Sequence, residues 1–151
     1  MSIIATDLDG TIFKGQTLID GVKEGLMKII NEGIEIYYTT NNSSQTPSEI
    51  KDKLEYLLQL NIDISKIITP LVIFQNLYSN NKSNIFIYGS DNLKNYIKNL
   101  NINVTSLENA ELVLIGRKEE NNFSEINEII KNVSLGKNIL SLNKDLTFPT
   151  E

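Results

Sequence analysis

Two aspartates one residue apart are the first feature of this sequence that could do chemistry. The segment IIATDLDGTIF, residues 3 to 13, places Asp7 and Asp9 at the end of an apolar run, and Gly10 follows them. Residues i and i+2 of an extended segment point to the same side, so both carboxylates can face one small volume where glycine lets the backbone turn. Two such carboxylates repel unless a cation or a shared proton accompanies them. The alternative interpretation is an ordinary Asp-Gly turn that Asp7 caps.

The composition narrows the chemistry that this pair can do. The chain has 151 residues and contains neither cysteine nor histidine. Disulfides, thiol chemistry and serine–histidine or cysteine–histidine nucleophiles are therefore excluded. Aspartate and glutamate remain as the strong side-chain metal ligands, and they favour a hard, oxygen-seeking ion such as Mg²⁺ at Asp7 and Asp9.

Charge and hydropathy limit the partners and the location. The net charge of −5 argues against a nucleic-acid or anionic membrane surface, because such a surface needs clustered lysine and arginine. No apolar stretch reaches the roughly 20 residues of a membrane span, and no basic region with an apolar core opens the chain. We therefore expect a cytoplasmic protein without nucleic-acid or membrane partners.

The elements that must position the two aspartates alternate along the chain. Apolar runs predict strands at 2–7, 34–40, 84–89, 111–116 and 138–143, and the stretch 66–80 is interpreted as one more strand and helix. Helical spacing predicts helices within 19–33, from Pro47, and at 91–100 and 122–133. Strands that alternate with helices indicate an α/β fold with parallel sheets. Polar NNKSN at 80–84 is the predicted boundary between domains at 1–80 and 81–151.

Ligands of parallel α/β sheets bind beyond the carboxyl ends of the strands, which is where Asp7 is expected. An apolar strand followed by DLDGT and an apolar pair resembles the opening of the haloacid dehalogenase (HAD) superfamily of phosphohydrolases. The second strand ends in YYTTNNSSQTP, in which Thr40, Asn41 and Asn42 match the T-N-N-S motif of the subfamily similar to nitrophenylphosphatase and NagD. FKGQTLIDG, residues 13 to 21, looks like the hairpin flap of that subfamily.

Residues 81–151 resemble the large α/β cap that this subfamily inserts into its core. Asn143 and Asp145, with FPT at 148–150, fall where such caps carry a loop that faces the active site. The alternative for this segment is a plain turn. The resemblance thus implies a Rossmann-like parallel sheet core, present in part, and a second small α/β cap domain.

The activity that the resemblance implies is Mg²⁺-dependent hydrolysis of small phosphorylated metabolites through an aspartyl-phosphate. Asp7 would be the nucleophile, and Asp9 would protonate the leaving oxygen and later deprotonate water. Thr40 and the backbone of Leu8, Asp9 and Asn41 would hold the phosphate. The Asp7 carboxylate and the Asp9 carbonyl would bind Mg²⁺.

The family also has a lysine motif and an acidic motif beyond the cap, and neither follows FPTE in this sequence. We therefore expect a chain that is truncated before these motifs and is weak or inactive. Lys82 and Asp91 could act as internal substitutes, although Asp91 could equally be the N-cap of the helix at 92–100. One rival is a phosphatase-derived binding or regulatory protein. Another is a response-regulator receiver domain, but KIITP and NIFIYG lack the mid-sheet aspartate that receiver domains phosphorylate.

Truncation of the core would leave the strand SIIAT at the edge of its sheet. An apolar edge strand invites pairing with another chain. We expect the protein either to form a homo-oligomer through this edge or to cover it with part of 81–151.

Overall fold

The computed structural model describes residues 2–80, 82–118 and 120–144. The described residues divide into two compact units. Residues 2–41 and 47–69 form the first unit, and residues 42–46 and 70–144 form the second. No helix within the described ranges combines the length and apolar character that crossing a bilayer requires.

The described part of the first unit is a three-stranded parallel sheet with a small hairpin, two α-helices and a short 3₁₀ helix at Ile64–Lys66. Its elements are β1 (Ile3–Asp7), the hairpin strands β2 (Phe13–Lys14) and β3 (Thr17–Leu18), α1 (Val22–Asn31), β4 (Glu35–Thr39), α2 (Pro47–Leu58) and β5 (Ile67–Ile68). The strand order is β1-β4-β5, and the parallel register pairs Asp7 with Thr39. This register brings the carboxyl ends of β1 and β4 to the same edge of the sheet.

Helical spacing of apolar residues explains how α2 packs against this sheet. Ile50, Leu54 and Leu58 recur at intervals of four, so they share one face of the helix. All three are buried in the core that contains Ile36 of β4 and Ile67 of β5. The predicted strands at 2–7 and 34–40, the helix that begins at Pro47 and the hairpin after Asp9 are thereby confirmed.

The second unit is a parallel sheet with helices on both faces. Its elements are α3 (Pro70–Tyr78), β6 (Ile85–Tyr88), α4 (Asp91–Lys98), β7 (Leu112–Ile115), α5 (Phe123–Ser134) and β8 (Asn138–Ser141). The strand order is β6-β7-β8. Alternation along β6 sends Ile85 and Ile87 into the core with α3 and α4, while Tyr88 packs with Ile129 of α5. The predicted α/β class and parallel sheets are confirmed.

The division between the units comes earlier than the domain boundary expected at residue 80. Leu71 and Phe74 of α3 are 1% exposed and pack with Ile85 and Ile97 of the second unit, so α3 belongs to that unit. The assignment of the units to a phosphatase core and a cap stays a prediction.

Ser90, and not Asp91, caps α4. The Ser90 hydroxyl accepts a hydrogen bond from the backbone N–H of Leu93 at 3.3 Å. Asp91 is the first helical residue, and its side chain is 93% exposed beside Lys94. The expectation that Asp91 caps the helix was wrong. Ser90 precedes Asp91, and its hydroxyl already accepts from a backbone N–H of the first turn.

Within the described part of the chain, β1 lies at the edge of its sheet, as expected. Ile3 and Ile4 are 59% and 37% exposed, respectively. The alternative, that part of 81–151 covers this strand, stays a prediction, because residues 145–151 lie outside the described residues. Self-association through the edge stays a prediction.

Candidate active site

The two aspartates flank the residue at which β1 gives way to a tight turn. Asp7 is the last residue of β1, and Asp7 and Asp9 are both exposed. Leu8 between them is 1% exposed and anchors the turn in the core. Its carbonyl oxygen accepts hydrogen bonds from the backbone N–H groups of Thr11, Ile12 and Phe13 at 3.2, 2.9 and 3.2 Å. Apolar anchoring at Leu8 thus holds both carboxylates at the solvent-facing end of the strand.

Thr40 brings the end of β4 to Asp9. The Thr40 hydroxyl donates a hydrogen bond to Oδ2 of Asp9 at 3.3 Å. The Thr40 backbone N–H donates to the carbonyl of Ile68 at 3.1 Å, and the residue is only 8% exposed. Because Thr40 is fixed by the sheet on one side, it holds the Asp9 carboxylate in a defined position.

The hairpin after Asp9 is tied to both the turn and helix α2. The Gly10 N–H donates to the carbonyl of Phe13 at 2.8 Å, and φ of +85° at Gly10 is a backbone conformation that favours glycine. Lys53 of α2 places its ammonium 3.7 Å from the centroid of the buried Phe13 ring. No sequence pattern predicts the contact of Lys53 with Phe13, because the two residues lie in separate elements far apart in the chain.

The segment that follows Thr40 is ordered by Asn42. Oδ1 of Asn42 accepts hydrogen bonds from the backbone N–H of Ser44 at 2.9 Å and from its hydroxyl at 2.6 Å. Such a side-chain-to-backbone bond is the signature of an Asx turn. Asn41, which directly follows Thr40, is exposed.

The structure brings three of the predicted site residues together. Asp9 and Thr40 are in contact, and Asp7 lies two residues from Asp9 in the same turn. The Leu8 side chain is buried, so only its backbone is available to a ligand. Asn143 is half-buried in the second unit, where its carbonyl accepts a hydrogen bond from the Ser141 hydroxyl. Asp145 and residues 148–150 lie outside the described residues, so their predicted roles stay predictions.

The donor set of the turn fits a magnesium ion. Mg²⁺ prefers oxygen ligands and is commonly bound through one or two carboxylates, with water and substrate phosphate completing its shell. Asp7 and Asp9 supply two exposed carboxylates and a neighbouring backbone carbonyl. Among the described residues, no group of three or more acidic, histidine or cysteine side chains is placed to hold a metal. A metal here would therefore depend on few protein ligands.

The sequence was compared with protein families and with known proteins. The sequence matches the family described as haloacid dehalogenase-like hydrolase over residues 4–103. It is 31% identical over 149 residues to an acid sugar phosphatase of Staphylococcus haemolyticus, a match that covers 96% of this chain and 56% of that protein. The chain thus spans little more than half the length of the curated relatives that it matches.

Two solved structures share the fold. The p-nitrophenyl phosphatase from Archaeoglobus fulgidus superposes with a TM-score of 0.88 at 22% identity, over 99% of this chain and 57% of its own. A glycerol phosphate phosphatase from Mycobacterium tuberculosis, solved in complex with magnesium, superposes with a TM-score of 0.81 at 22% identity, over 99% and 46%. At this identity the likeness shows the fold alone.

Proposed function

The chain belongs to the haloacid dehalogenase-like hydrolases, and on that premise we propose that it is a Mg²⁺-dependent phosphomonoester hydrolase for small phosphorylated metabolites. The observation that carries the proposal is the hydrogen bond of 3.3 Å from Thr40 to Asp9, two residues from Asp7. A nucleophile, an acid–base group and a hydroxyl that orients it are the parts that this reaction needs.

In the proposed first step, the Asp7 carboxylate attacks phosphorus while the bond to the leaving oxygen breaks. Asp9 gives its proton to that oxygen, so the alcohol leaves neutral and the phosphoryl group is bound to Asp7. Thr40 supports this role, because its donation to Oδ2 of Asp9 leaves Oδ1 to carry the proton. In the second step Asp9 takes a proton from water, which attacks the phosphorus and releases Asp7.

The Asp7 carboxylate and the Asp9 carbonyl are the groups that we propose to hold Mg²⁺. When bound, the ion would neutralise charge between the nucleophile and the phosphate so that the two can approach. The backbone of Leu8, Asp9 and Asn41 is proposed to contact the phosphoryl oxygens. The glycerol phosphate phosphatase solved with magnesium supports this choice of metal by analogy of fold.

The experiment is steady-state hydrolysis of p-nitrophenyl phosphate at high protein concentration, with and without Mg²⁺. The proposal predicts a Mg²⁺-dependent rate that vanishes in Asp7→Asn. Asp52→Asn is the matched control, since it makes the same chemical change at an exposed position of α2. Turnover that persists in Asp7→Asn would sink the assignment of the nucleophile.

A second candidate is a binding or regulatory protein that recognises a phosphorylated ligand without turnover. The same preparation separates the two, because titration with inorganic phosphate by calorimetry reports binding independently of hydrolysis. Binding that Asp7→Asn retains, without measurable hydrolysis in the parent chain, would favour the second candidate. The family match supports either reading over a receiver domain.

A further inference from the structure

A cavity that opens to solvent lies between the carboxyl end of α1, the amino end of β4 and the connection from α2 to β5. Its volume is about 330 Å³, within the roughly 300–1,000 Å³ of small-molecule sites, and its lining residues fall within 30–38 and 60–66. We propose that this cavity binds a small amphipathic cation, in which an apolar ring carries a hydroxyl at one end and an ammonium at the other. The proposal does not depend on the proposed function, because the lining includes neither Asp7 nor Asp9 nor Thr40.

Tyr38 supplies a polar group to this cavity. Its side chain is 3% exposed and belongs to the same core cluster as Ile36 and Leu58. The hydroxyl has no hydrogen-bond partner within the described ranges, yet no polar side-chain atom in those ranges is both fully buried and unpaired, so the hydroxyl reaches the cavity that Tyr38 lines. Burial raises the pKa of the phenol above its ordinary 10, so the group is neutral and can donate or accept. Such a hydroxyl gains from a hydrogen-bond partner that a ligand brings.

Hydrogen bonds fix the two walls that flank Tyr38. At the end of α1, the Gly33 N–H donates to the carbonyl of Ile30 at 2.9 Å, and φ of +73° at Gly33 turns the chain sharply toward β4. On the other side, the Ile62 N–H donates to Oε1 of Glu55 of α2 at 2.9 Å, which holds the connection to β5 against that helix. The cavity is therefore formed before a ligand arrives, and binding does not have to order its walls.

Apolar side chains form much of the remaining lining. Ile36 and Ile62 are each 4% exposed, and Ile34 and Leu60 are half-buried. These side chains offer no hydrogen bonds, so a ligand gains there by removing apolar surface from water. An aromatic ring supplies apolar surface with few rotatable bonds to immobilise.

Charge in the lining favours a cation. Glu35 and Asp63 contribute two carboxylates, and Lys66 contributes one ammonium. Lys66 lies 4.0 Å from Glu35, so it is paired with only one of the two carboxylates. Asp63 is exposed, and the hydrogen bond that it accepts from the Ser65 N–H at 2.9 Å lowers its pKa and keeps it ionised. An ammonium is therefore attracted to the net negative charge of this lining, whereas a carboxylate is repelled.

Tyramine carries a ring, a hydroxyl and an ammonium, and it is the probe for this site. Titration of tyramine into the ¹⁵N-labelled chain, followed by amide chemical shifts, should show saturable binding in the millimolar range or below, as expected for so small a ligand. The shifts should centre on Gly33, Tyr38 and Ile62. Shifts that do not saturate at tens of millimolar, or that centre on Asp9 and Thr40, would overturn the proposal.

Tyr38→Phe tests the hydroxyl contact, with phenethylamine as the ligand that lacks a hydroxyl. The parent chain should bind tyramine about two- to tenfold more tightly than phenethylamine, since one hydrogen bond contributes this much. Tyr38→Phe should abolish the difference and leave the affinity for phenethylamine unchanged. Because the hydroxyl has no partner within the described ranges, the variant should also resist urea as well as the parent chain does. Tyr37→Phe, at a half-buried position that points to the opposite face of β4, is the matched control. The same ratio of affinities in Tyr38→Phe as in the parent chain would contradict the contact.

A series of ligands that share the ring and hydroxyl tests the charge. Tyramine should bind more tightly than the neutral tyrosol, and tyrosol more tightly than the anion 4-hydroxyphenylacetate. Asp63→Asn removes one carboxylate while asparagine retains the capping oxygen, so it should weaken tyramine binding about two- to fivefold and leave tyrosol binding unchanged. Asp52→Asn, at an exposed position of α2, makes the same change away from the cavity and should leave both affinities unchanged. Equal affinities for tyramine and 4-hydroxyphenylacetate in the parent chain would overturn the assignment of a cationic ligand.

Discussion

The Thr40 hydroxyl donates a hydrogen bond to the Asp9 carboxylate at 3.3 Å, although 31 positions separate the two residues in the sequence. A threonine hydroxyl has one proton to donate. Thr40 can therefore orient Asp9 or hold a phosphoryl oxygen, but it must turn away from Asp9 to do the second. The Asp9 carboxylate and a phosphoryl oxygen therefore compete for the same Thr40 proton, and the two roles of Thr40 can be tested separately.

Thr40→Val should separate these roles. Valine matches the shape of the nearly buried threonine but cannot donate, and removal of one such donor costs about 10²–10³-fold in kcat when it acts in the transition state. If Thr40 orients Asp9, the rate should fall while the affinity for inorganic phosphate is retained. Thr40→Ser keeps the hydroxyl and should restore the rate. An unchanged rate in Thr40→Val would contradict both roles.

Asp9→Asn should affect substrates according to their leaving groups. Loss of a general acid costs about 10²–10⁴-fold where the leaving oxygen needs a proton. The loss should be smaller for p-nitrophenyl phosphate, whose phenolate leaves readily, than for an alkyl phosphate. Parallel kinetics on both substrates measure the difference, and phosphate binding should be spared. A uniform loss would show that Asp9 is not the acid.

Lys53→Met should loosen the hairpin that follows Asp9. Methionine keeps the apolar length but removes the ammonium from the face of the Phe13 ring, a contact worth about 0.5–2 kcal/mol. Urea unfolding should show reduced stability, and amide exchange should speed up at Phe13–Leu18. Lys53→Arg retains a cation and serves as the control. If amide exchange at the hairpin is the same in Lys53→Met as in the parent chain, the contact between Lys53 and Phe13 does not stabilise the hairpin.

Glu55 should make the first unit sensitive to acid. Its hydrogen bond with Lys51, together with the Ile62 N–H that donates to it, lowers the pKa of the Glu55 carboxyl below the ordinary 4.5. A lowered folded-state pKa stabilises the fold above the unfolded value, and this contribution is lost as the pH falls from 4.5 through the folded value. Chemical unfolding at pH values above and below 4.5 should show that the free energy of unfolding falls less on acidification in Glu55→Gln than in the parent chain. If the free energy of unfolding depends on pH in the same way in Glu55→Gln and in the parent chain, Glu55 does not cause the acid sensitivity.

Much of the candidate site could be predicted because its parts are local in the sequence. Asp7, Asp9 and Gly10 are consecutive or nearly so, and an apolar strand that ends in them predicts a turn at the carboxyl end of a sheet. The hairpin after Asp9 was likewise predictable. The Lys53–Phe13 contact was not, because its two residues belong to separate elements and no period along the chain links them.

The sequence by itself determined where strands and helices form, because apolar residues at intervals of two or of three to four decide which face of each element can be buried. Only the tertiary structure decided which core each element joins. The pattern of α3 marks an apolar helix but not its partner, and the packing of Leu71 and Phe74 with Ile85 assigns it to the second unit. In the same way, Ile3 and Ile4 are apolar in any reading, and only the strand order leaves β1 without a neighbour on one side within the described residues. Burial depends on residues distant in the chain, which no local period encodes.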